Sequence, residues 1–366
     1  MKSNKLIKIL IFLFILSFLF FLSSLIYYYL NPVKDEQQAL VSETNPTLEI
    51  DLKDIPAPQE SYNILLLGHG DPGHPGGDLA DTLIVVHLDT KEKKVAMVSI
   101  PRDTWLSVKI SESQVEPHKI NEVYLVGKKA KGEEFGFSLI KQAVGEVTNL
   151  PIHYFVFINF SKFMEVIDGL GGVEVDVPVA FDDYYYPVRG RELEICDWLP
   201  EDVAAMTATM SGFLLEKQFT CRYEHLHFEK EKTQMNGETA LKFVRSRHSN
   251  QHGGDFARAE RQQALLQGVA DKLLSLNALK KAPAIFDQFD QMVTTDLDLE
   301  IIEAIVKTIV DPQEYSIDKV VLSTDNVFDS SRNSTGQFIL APKAGLDQWG
   351  GVHEVISQAI KKEEVE

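Results

Sequence analysis

The chain has 366 residues, of which 44% are hydrophobic and 25% are charged. This length and composition are typical of a globular protein with one large core or two smaller ones, and they exclude a disordered chain. The 54 acidic residues outnumber the 36 basic ones and give a net charge of -18, which argues against a general nucleic-acid binder, since such a protein needs a basic face.

The N-terminus carries a predicted membrane anchor. A lysine-bearing tail, residues 1–8, precedes an almost uninterrupted apolar run at 9–30, close to the roughly 20 residues that span a bilayer as a helix. Lysines before the run, with Asp35 and Glu36 after it, place the tail in the cytoplasm and the main domain outside the cell membrane. A cleaved signal peptide is the alternative. The length of the run and the lack of an A-x-A site favour a single-pass anchor.

Residues 31–60 are polar and contain several prolines, which predicts a linker, and a folded domain is predicted at 61–360. The domain begins with the runs NILLLG, TLIVVHLD and VAMVSI, each ended by a turn or a charged residue. Such runs are typical of strands that are buried on both faces. They predict an α/β fold, with a central mixed β-sheet flanked by helices on both faces.

Further elements follow along the chain. HYFVFIN, VEVDVPV and YSIDKVVLS predict strands, and ILAPKAGLDQWGGVHEVISQAI predicts a strand, a loop and a closing helix. Helices are predicted at 134–148, 160–170, 237–247, 256–274 and 299–310.

Residues 183–233 fit this pattern poorly and are predicted to be an insertion or lid. They hold both cysteines of the chain, Cys196 and Cys221, without a spacing typical of zinc sites. A disulfide is expected to be possible outside the cell, and two separate thiols are the alternative.

Two polar residues follow the third predicted strand. In VSIPRDTW, Pro101 ends strand pairing, and Arg102 and Asp103 come directly after it. Ligands of open α/β sheets bind at the carboxyl ends of strands, and a guanidinium group fits phosphate oxygens. This predicts a phosphate contact at Arg102, with a solvated Arg–Asp pair as the alternative.

A glycine-rich segment, GHGDPGHPGGDLADT, follows the first predicted strand. It holds Asp71, Asp78 and Asp81 with no lysine or arginine nearby, which suits a hard cation such as Mg²⁺. Asp81 is the stronger candidate ligand because it opens a rigid strand, and Asp71 and Asp78 are possible substitutes. A flexible turn with solvated carboxylates is the alternative interpretation.

The stretch RSRHSNQHGGDFARAERQQ, residues 245–263, concentrates positive charge in an otherwise acidic chain. Arg245 and Arg247 end one predicted helix, and Asp255 is predicted to be the N-cap of the next. The positive end of that second helix would add to the charge of the arginines. The stretch predicts an anion site, and a solvated charged face is the alternative.

Further donors extend the predicted anion site. Arg258, Arg261 and Gln262 stand at i, i+3 and i+4 and are expected to share one helix face. Lys119 and Asn121, in HKINEVYLVG, are polar candidates for the same site, and an ordinary loop is the alternative.

These segments together resemble the LytR-CpsA-Psr family of cell-wall glycopolymer ligases over roughly 62–274. The matching pieces are NILLLG, ADTLIVVHLDTKEKKVAMVSIPRDTW, HKINEVY, INFSKFMEVIDGLGGVEVDVPVAFDD and MNGETALKFVRSRHSNQHGGDFARAERQQALLQGVADKL. SIPRDT and RSRH…DFARAERQQ are highly specific in combination. The predicted N-terminal anchor also matches the usual layout of the family.

The resemblance implies a membrane-anchored phosphotransferase. Such an enzyme moves a glycopolymer from a polyprenyl-pyrophosphate lipid to peptidoglycan or another cell-wall acceptor and forms a phosphodiester. The implied catalytic residues are Arg102, Asp103, Asp81, Arg245 and Arg247. Pyrophosphate or substrate binding is implied for Arg102, Lys119, Asn121, Arg245, Arg247, Asp255, Arg258, Arg261 and Gln262, and Mg²⁺ binding for Asp81.

The first loop departs from the family pattern. GHGDPG stands where many members have an Asp-x-Arg pair, and Leu79 and Ala80 stand before Asp81 where those members have Arg-Ser. Two alternatives to a transferase follow. One is a hydrolase of the same lipid, and the other is a non-catalytic wall-polymer or lipid-binding protein that lost the metal.

Overall fold

The computed structural model describes residues 60–71, 77, 79–275, 292–309 and 314–361. The predicted anchor at 9–30 and nearly all of the predicted linker lie outside the described residues. Within the described ranges, no helix is both long enough and apolar enough to cross a bilayer.

The strands, in chain order, are β1 Ser61–His69, β2 Ala80–Asp89, β3 Lys94–Ser99, β4 Trp105–Ser111, β5 Gln114–Lys119, β6 Tyr154–Asn159, β7 Val173–Asp176, β8 Phe181–Pro187, β9 Tyr223–Phe228, β10 Lys232–Met235, β11 Thr294–Thr295, β12 Ser316–Val321, β13 Phe328–Arg332 and β14 Phe338–Pro342. The helices are α1 Val123–Lys131, α2 Glu133–Thr148, α3 Phe160–Gly169, α4 Pro200–Thr209, α5 Phe213–Glu216, α6 Gly237–Arg245, α7 Gly254–Ser275, α8 Leu299–Thr308 and α9 Gly350–Ile360.

A six-stranded sheet with the order β11-β6-β1-β2-β3-β12 forms the centre of the domain. Strand β1 pairs antiparallel with β2 and parallel with β6, and β3 pairs antiparallel with β2 and parallel with β12. The prediction of a central mixed sheet is therefore confirmed.

Helices cover both faces of this sheet, as the two-faced burial of the strands predicts. On one face, Leu65 and Val98 belong to a core that includes Ile140 of α2 and Ile356 of α9. On the other face, Ile64 and Ile301 of α8 both pack against a buried cluster of Tyr62, Leu88 and Tyr154. Helix α7 lies against β3 and β12 on this second face, where Gln263 Nε2 donates to Met97 O (3.1 Å), Ser99 Oγ (2.8 Å) and Val320 O (2.9 Å).

Strands β8 and β9 pair antiparallel and carry an extension between them, residues 188–222. This extension contains α4 and α5, and a disulfide joins Cys196 to Cys221. Phe219 is its single buried residue. The base of the hairpin is packed far better, since Phe181 and Phe228 belong to a second core shared with α6 and α7.

Several boundaries differ from the predictions. Helix α6 ends at Arg245 rather than at Arg247. Helix α7 begins at Gly254, so Asp255 lies in its first turn and the predicted N-cap role is wrong. The segment around Val123, for which no helix was predicted, forms α1.

Candidate active site

A cavity of about 360 Å³ opens where β2 begins and β3 ends. The start of α7 and the segment around β13 and β14 complete its wall. Apolar and polar side chains both line it, and its charged and amide-bearing residues are Asp81, Arg102, Asp103, Asp255, Arg258 and Gln262. Six of the predicted site residues, which are far apart in the chain, therefore share one cavity.

Arg102 lies between two carboxylates. Its Nη1 is 2.5 Å from Asp81 Oδ1, and its Nε is 3.6 Å from Asp103 Oδ2. Burial disfavours the charge of Arg102, but the negative charge of Asp81 and its hydrogen bond outweigh burial, and the pKa of Arg102 is raised. The guanidinium is therefore a permanent cation in the wall of the cavity.

Lys119 and Asn121 support this segment from outside the cavity. Lys119 Nζ lies 2.5 Å from Asp103 Oδ1, so both oxygens of Asp103 face cations. The backbone N–H of Asn121 donates to Arg102 O at 3.3 Å. The side-chain oxygen of Asn121 is buried and has no hydrogen-bond partner among the described residues.

A second cationic group surrounds Asp255. Arg247 forms an ion pair with Asp255 Oδ1, and Arg258 Nη2 lies 2.9 Å from the same oxygen. Burial and the positive charge of Arg247 lower the pKa of Arg258 to about 10, which leaves it protonated at pH 7. Burial opposes the charge of Asp255, but Arg258 and Arg247 outweigh burial and lower its pKa.

Two contacts join α7 to β2 at the cavity. Arg258 Nη2 donates to Asp81 O at 3.3 Å, and Gln262 Nε2 donates to Thr82 Oγ1 at 2.9 Å. These contacts hold the arginine-rich helix against the first residues of β2, the strand that carries Asp81.

Arg261 lies away from the cavity. Its side chain is fully buried (0% exposed), and it donates to three backbone carbonyls, those of Phe243 (2.9 Å), His252 (2.5 Å) and Ser246. The prediction that it shares a face with Arg258 and Gln262 is wrong. At 100° per residue, Arg261 points about 60° to one side of Arg258 while Gln262 points about 40° to the other.

Arg245 and Asp71 also lie apart from the cavity wall. The guanidinium of exposed Arg245 lies over the ring of Phe160, 4.4 Å from its centroid. Asp71 accepts hydrogen bonds at the start of α3 from Ser161 N (3.0 Å) and Ser161 Oγ (2.9 Å). Asp78, the other substitute ligand, lies outside the described residues.

The side chains of this site fit Mg²⁺ only if water and substrate phosphates supply most of its ligands. Within the described part of the chain, no three His, Cys, Asp or Glu side chains are grouped to hold a metal ion. Asp81 lines the cavity with one oxygen on Arg102, and its second oxygen makes no ion pair with any described residue. Mg²⁺ commonly takes one or two carboxylates and completes its shell with water and substrate phosphates, which Asp81 satisfies.

Sequence reasoning missed several residues of the site. Ser330, Phe338 and Leu340 come from the C-terminal segment, and no local pattern connects them with the arginines. The backbone N–H of Leu340 donates to Asp103 O at 2.9 Å, which attaches this segment to the cavity. Such a long-range contact has no signal in a single sequence.

The sequence profile described as the LytR_cpsA_psr family matches residues 24–344. The chain belongs to the LytR_cpsA_psr family. The resemblance inferred from SIPRDT and the arginine-rich stretch is therefore confirmed.

Relatives of this LytR_cpsA_psr protein are transferases by name. It is 27% identical over 273 residues to the polyisoprenyl-teichoic acid–peptidoglycan teichoic acid transferase TagV of Bacillus subtilis (strain 168), covering 74% of this chain and 58% of that protein. It is 27% identical over 244 residues to the transferase TagU of Enterococcus faecalis (strain ATCC 700802 / V583), covering 66% of this chain and 63% of that protein. The match thus spans about three fifths of the length of these two relatives.

Several solved structures share the fold of this chain. The crystal structure of Bacillus subtilis TagV has a TM-score of 0.55 at 24% identity and covers 82% of this chain and 98% of that chain. A structure of TagT bound to LI-WTA has a TM-score of 0.51 at 19% identity and covers 87% of this chain and 93% of that chain. At these identities the likeness establishes the fold alone.

Proposed function

We propose that this protein is a phosphotransferase that moves a glycopolymer from a polyprenyl-pyrophosphate carrier to peptidoglycan or another cell-wall acceptor. The arrangement of Arg102 and Arg258 beside Asp81, with Arg247 on Asp255, carries the proposal. Arg102 and Arg258 line a cavity of about 360 Å³, and Arg247 shares the carboxylate of Asp255 with Arg258. The names of relatives as teichoic acid transferases support the same function.

The arginines suit a pyrophosphate group. Their guanidinium groups remain charged at neutral pH and offer planar pairs of donors to phosphate oxygens. Arg102 Nε and Arg258 Nε are buried and have no hydrogen-bond partner among the described residues. A bound diphosphate would give these donors partners and would compete with Asp255 and Asp81 for the arginines.

The proposed reaction is a phosphoryl transfer. An acceptor hydroxyl oxygen attacks the phosphorus that carries the sugar and forms a new P–O bond. The bond from this phosphorus to the bridging oxygen breaks, and polyprenyl phosphate leaves with the electron pair. The hydroxyl proton passes to a phosphate oxygen of the leaving group or to water. Positioning and charge stabilisation are the main demands on the protein in such a reaction.

Asp81 is proposed to hold Mg²⁺ together with substrate phosphate oxygens. The ion, when bound, would neutralise charge on the pyrophosphate and its leaving group. Asp103 is a poor candidate for a general base, because Lys119 and Arg102 face its two oxygens and leave neither free to accept a proton. We assign it instead to orienting Arg102.

A predicted single-pass anchor at 9–30 suits a lipid-borne donor. It would hold the domain on the outer side of the cell membrane and raise the local concentration of the substrate. Localisation at the membrane, with the N-terminus in the cytoplasm, is part of the proposal.

The decisive experiment uses the full chain in detergent with a polyprenyl-pyrophosphate-linked sugar, Mg²⁺ and peptidoglycan fragments. Products are followed by mass spectrometry. Wild-type protein should form a phosphodiester-linked product. Arg102→Ala and Asp81→Ala should each lower the rate by about a hundredfold or more, since each removes a charge next to the reacting phosphate.

Lys109→Ala is a matched control, because Lys109 is an exposed cation on β4 whose partner is Glu112. It should retain the wild-type rate. Release of free phosphorylated sugar without transfer would support the hydrolase instead. Mg²⁺-independent binding of the lipid without turnover would support the non-catalytic alternative.

A further inference from the structure

A buried carboxylate outside the cavity organises the loop that carries Arg247. This loop, residues 246–253, connects α6 to α7 and is called the arginine loop below. Asp183 of β8 is 0% exposed. Its Oδ2 accepts three hydrogen bonds from the loop: from Ser246 Oγ (2.6 Å), from Arg247 N (3.1 Å) and from His248 N (3.1 Å).

Asp183 makes two further contacts, one within its own strand and one with the arginine loop. Its Oδ1 accepts from Tyr185 N at 2.9 Å, and its backbone pairs antiparallel with Ser249. A buried carboxylate is expensive unless hydrogen bonds compensate its charge, and four donors do so here. The geometry of these donors depends on the path of the arginine loop, so the carboxylate and the loop conformation require each other.

Arg261 also binds the arginine loop, but as a donor to its carbonyls. It donates to the carbonyls of Ser246 and His252, while Asp183 accepts from the amides between them. The charge of Asp183 also acts on Arg261 and opposes the effect of burial on its pKa. An anion and a cation, both fully buried, thus fix the amides and the carbonyls of one short segment.

The extension between β8 and β9 adds a third contact to the arginine loop. The ring of Phe213 in α5 stacks on His248, with centroids 4.2 Å apart and planes 4° from parallel. Asp183 stands at the base of the strand that leads into this extension. The predicted insertion is therefore in contact with the segment that carries Arg247.

We infer that Asp183 is a positioning residue of the proposed transferase: its carboxylate holds the arginine loop in the conformation that directs Arg247 toward Asp255 and Arg258 at the cavity. This inference rests on the proposed function for its effect on rate. Asp183 itself does not line the cavity. It acts through Arg247, whose backbone N–H it binds.

The test is a double-mutant cycle of Asp183→Asn and Arg247→Ala in the full chain. Arg247→Ala keeps the backbone N–H that Asp183 binds and removes only the guanidinium. Asp183→Asn should lower kcat/KM of transfer, and the affinity for farnesyl pyrophosphate, on the order of tenfold in the wild-type background. In the Arg247→Ala background the same change should have less than a twofold effect, because the group that Asp183 positions is already gone.

Asp182→Asn is the matched control, because Asp182 is the preceding residue of β8 and its carboxylate binds His225 (2.7 Å) and His227 (2.9 Å). Its hydrogen bond to the loop comes from the backbone N–H, which donates to Gln251 Oε1 at 3.4 Å and is kept in the variant. It should stay within twofold of wild type. If Asp183→Asn does not fold, Ser246→Ala removes one donor to the same oxygen and enters the same cycle. Equal losses in both backgrounds, or no loss, would overturn the inference.

The two proposals fail in different ways. Wild-type protein that binds farnesyl pyrophosphate but transfers nothing would contradict the transferase and leave the cycle to be decided on binding. Wild-type protein that neither binds nor transfers would overturn both.

Discussion

Two arginines one turn apart on α7 have opposite environments. Arg258 lines the cavity and binds Asp255, whereas Arg261 is fully buried and binds backbone carbonyls. Burial lowers the pKa of each to about 10, and both remain charged at neutral pH. Arg258 is therefore available to an anionic ligand in the cavity, whereas the donors of Arg261 are used in hydrogen bonds to the backbone.

This difference predicts the outcome of an Arg261→Lys substitution. A single ammonium group cannot reach the three carbonyls that the guanidinium spans, so at least one carbonyl loses its donor in the interior. We expect a loss of about 3 kcal/mol in the free energy of unfolding, measured by chemical denaturation. Arg332→Lys, at an exposed residue whose guanidinium donates to Gly336 O (2.6 Å), should change it by about 0.5 kcal/mol or less. Equal effects would contradict the structural role.

Two buried histidines predict a pH dependence of stability. His153 Nδ1 accepts from Asn63 N at 2.9 Å, which requires that nitrogen to be unprotonated. Burial lowers the pKa of His153 and of His87 below 6.5, so the unfolded chain binds more protons than the folded one below that pH. Stability is therefore full above pH 6.5 and falls as the pH decreases toward the folded-state pKa.

A His153→Asn variant tests this origin. The asparagine oxygen takes the place of Nδ1 as acceptor but does not titrate. Between pH 6.5 and 5, the slope of unfolding free energy against pH should be smaller than in wild type, by up to about 1.4 kcal/mol per pH unit. An unchanged slope would assign the pH dependence to other groups.

Close approach of elements determines how α7 reaches the site. Gly268 packs on β7 so tightly that an added Cβ would lie 2.4 Å from Glu174 O. This contact sets the distance between α7 and β7. It thereby helps to place Arg258 and Gln262, which lie ten and six residues earlier on the same helix. The glycine is required by the packing, since its backbone is ordinary helix.

A Gly268→Ala substitution should therefore destabilise the protein, although alanine has the higher helix propensity. The backbone of β7 has to shift, which is expected to cost about 2 kcal/mol in unfolding free energy. Gly351→Ala in α9 is the matched control because no atom lies within 4 Å of its added Cβ. Its stability should be equal or higher by up to about 1 kcal/mol. Stabilisation at both positions would contradict the close approach.

The elements with a regular apolar pattern were predictable from the sequence, and those without one were not. The runs that became β1, β2 and β3 are apolar because they are buried on both faces. Helix α1 was not predicted, and its Gly127 packs so closely on α2 that an added Cβ would lie 2.8 Å from Gly136 Cα. Helix α4 has no buried residue and therefore no periodicity to detect.

The candidate site was predictable as a set of charges but not as a geometry. Charge clustering brought Arg258 and Arg261 into one group, yet the sequence does not say which of them faces the backbone. Asp183 had no signal, because a single buried aspartate resembles any surface carboxylate in a sequence. Its role depends on three loop donors that only the folded chain brings together.

At the scale of the whole molecule, charge is distributed unevenly. The chain has a net charge of -18, yet two of its arginines, Arg102 and Arg258, line one cavity together with three aspartates. A field of that sign would repel anions in bulk, so local donors have to supply the attraction for a pyrophosphate. Tethering to the membrane that contains the donor would offset this repulsion by raising the local concentration.

The predicted anchor at 9–30 is expected to attach the full chain to membranes. The full chain should sediment with membranes and resist alkaline extraction, whereas a chain that begins at Gln59 should remain in the supernatant, because it lacks the apolar run. Protease added outside intact cells should degrade the domain, since lysines before the run place the tail inside. Mass spectrometry of the purified chain separates the alternative: a mature N-terminus near residue 30 would mean a cleaved signal peptide, and the proposed tether would then be absent.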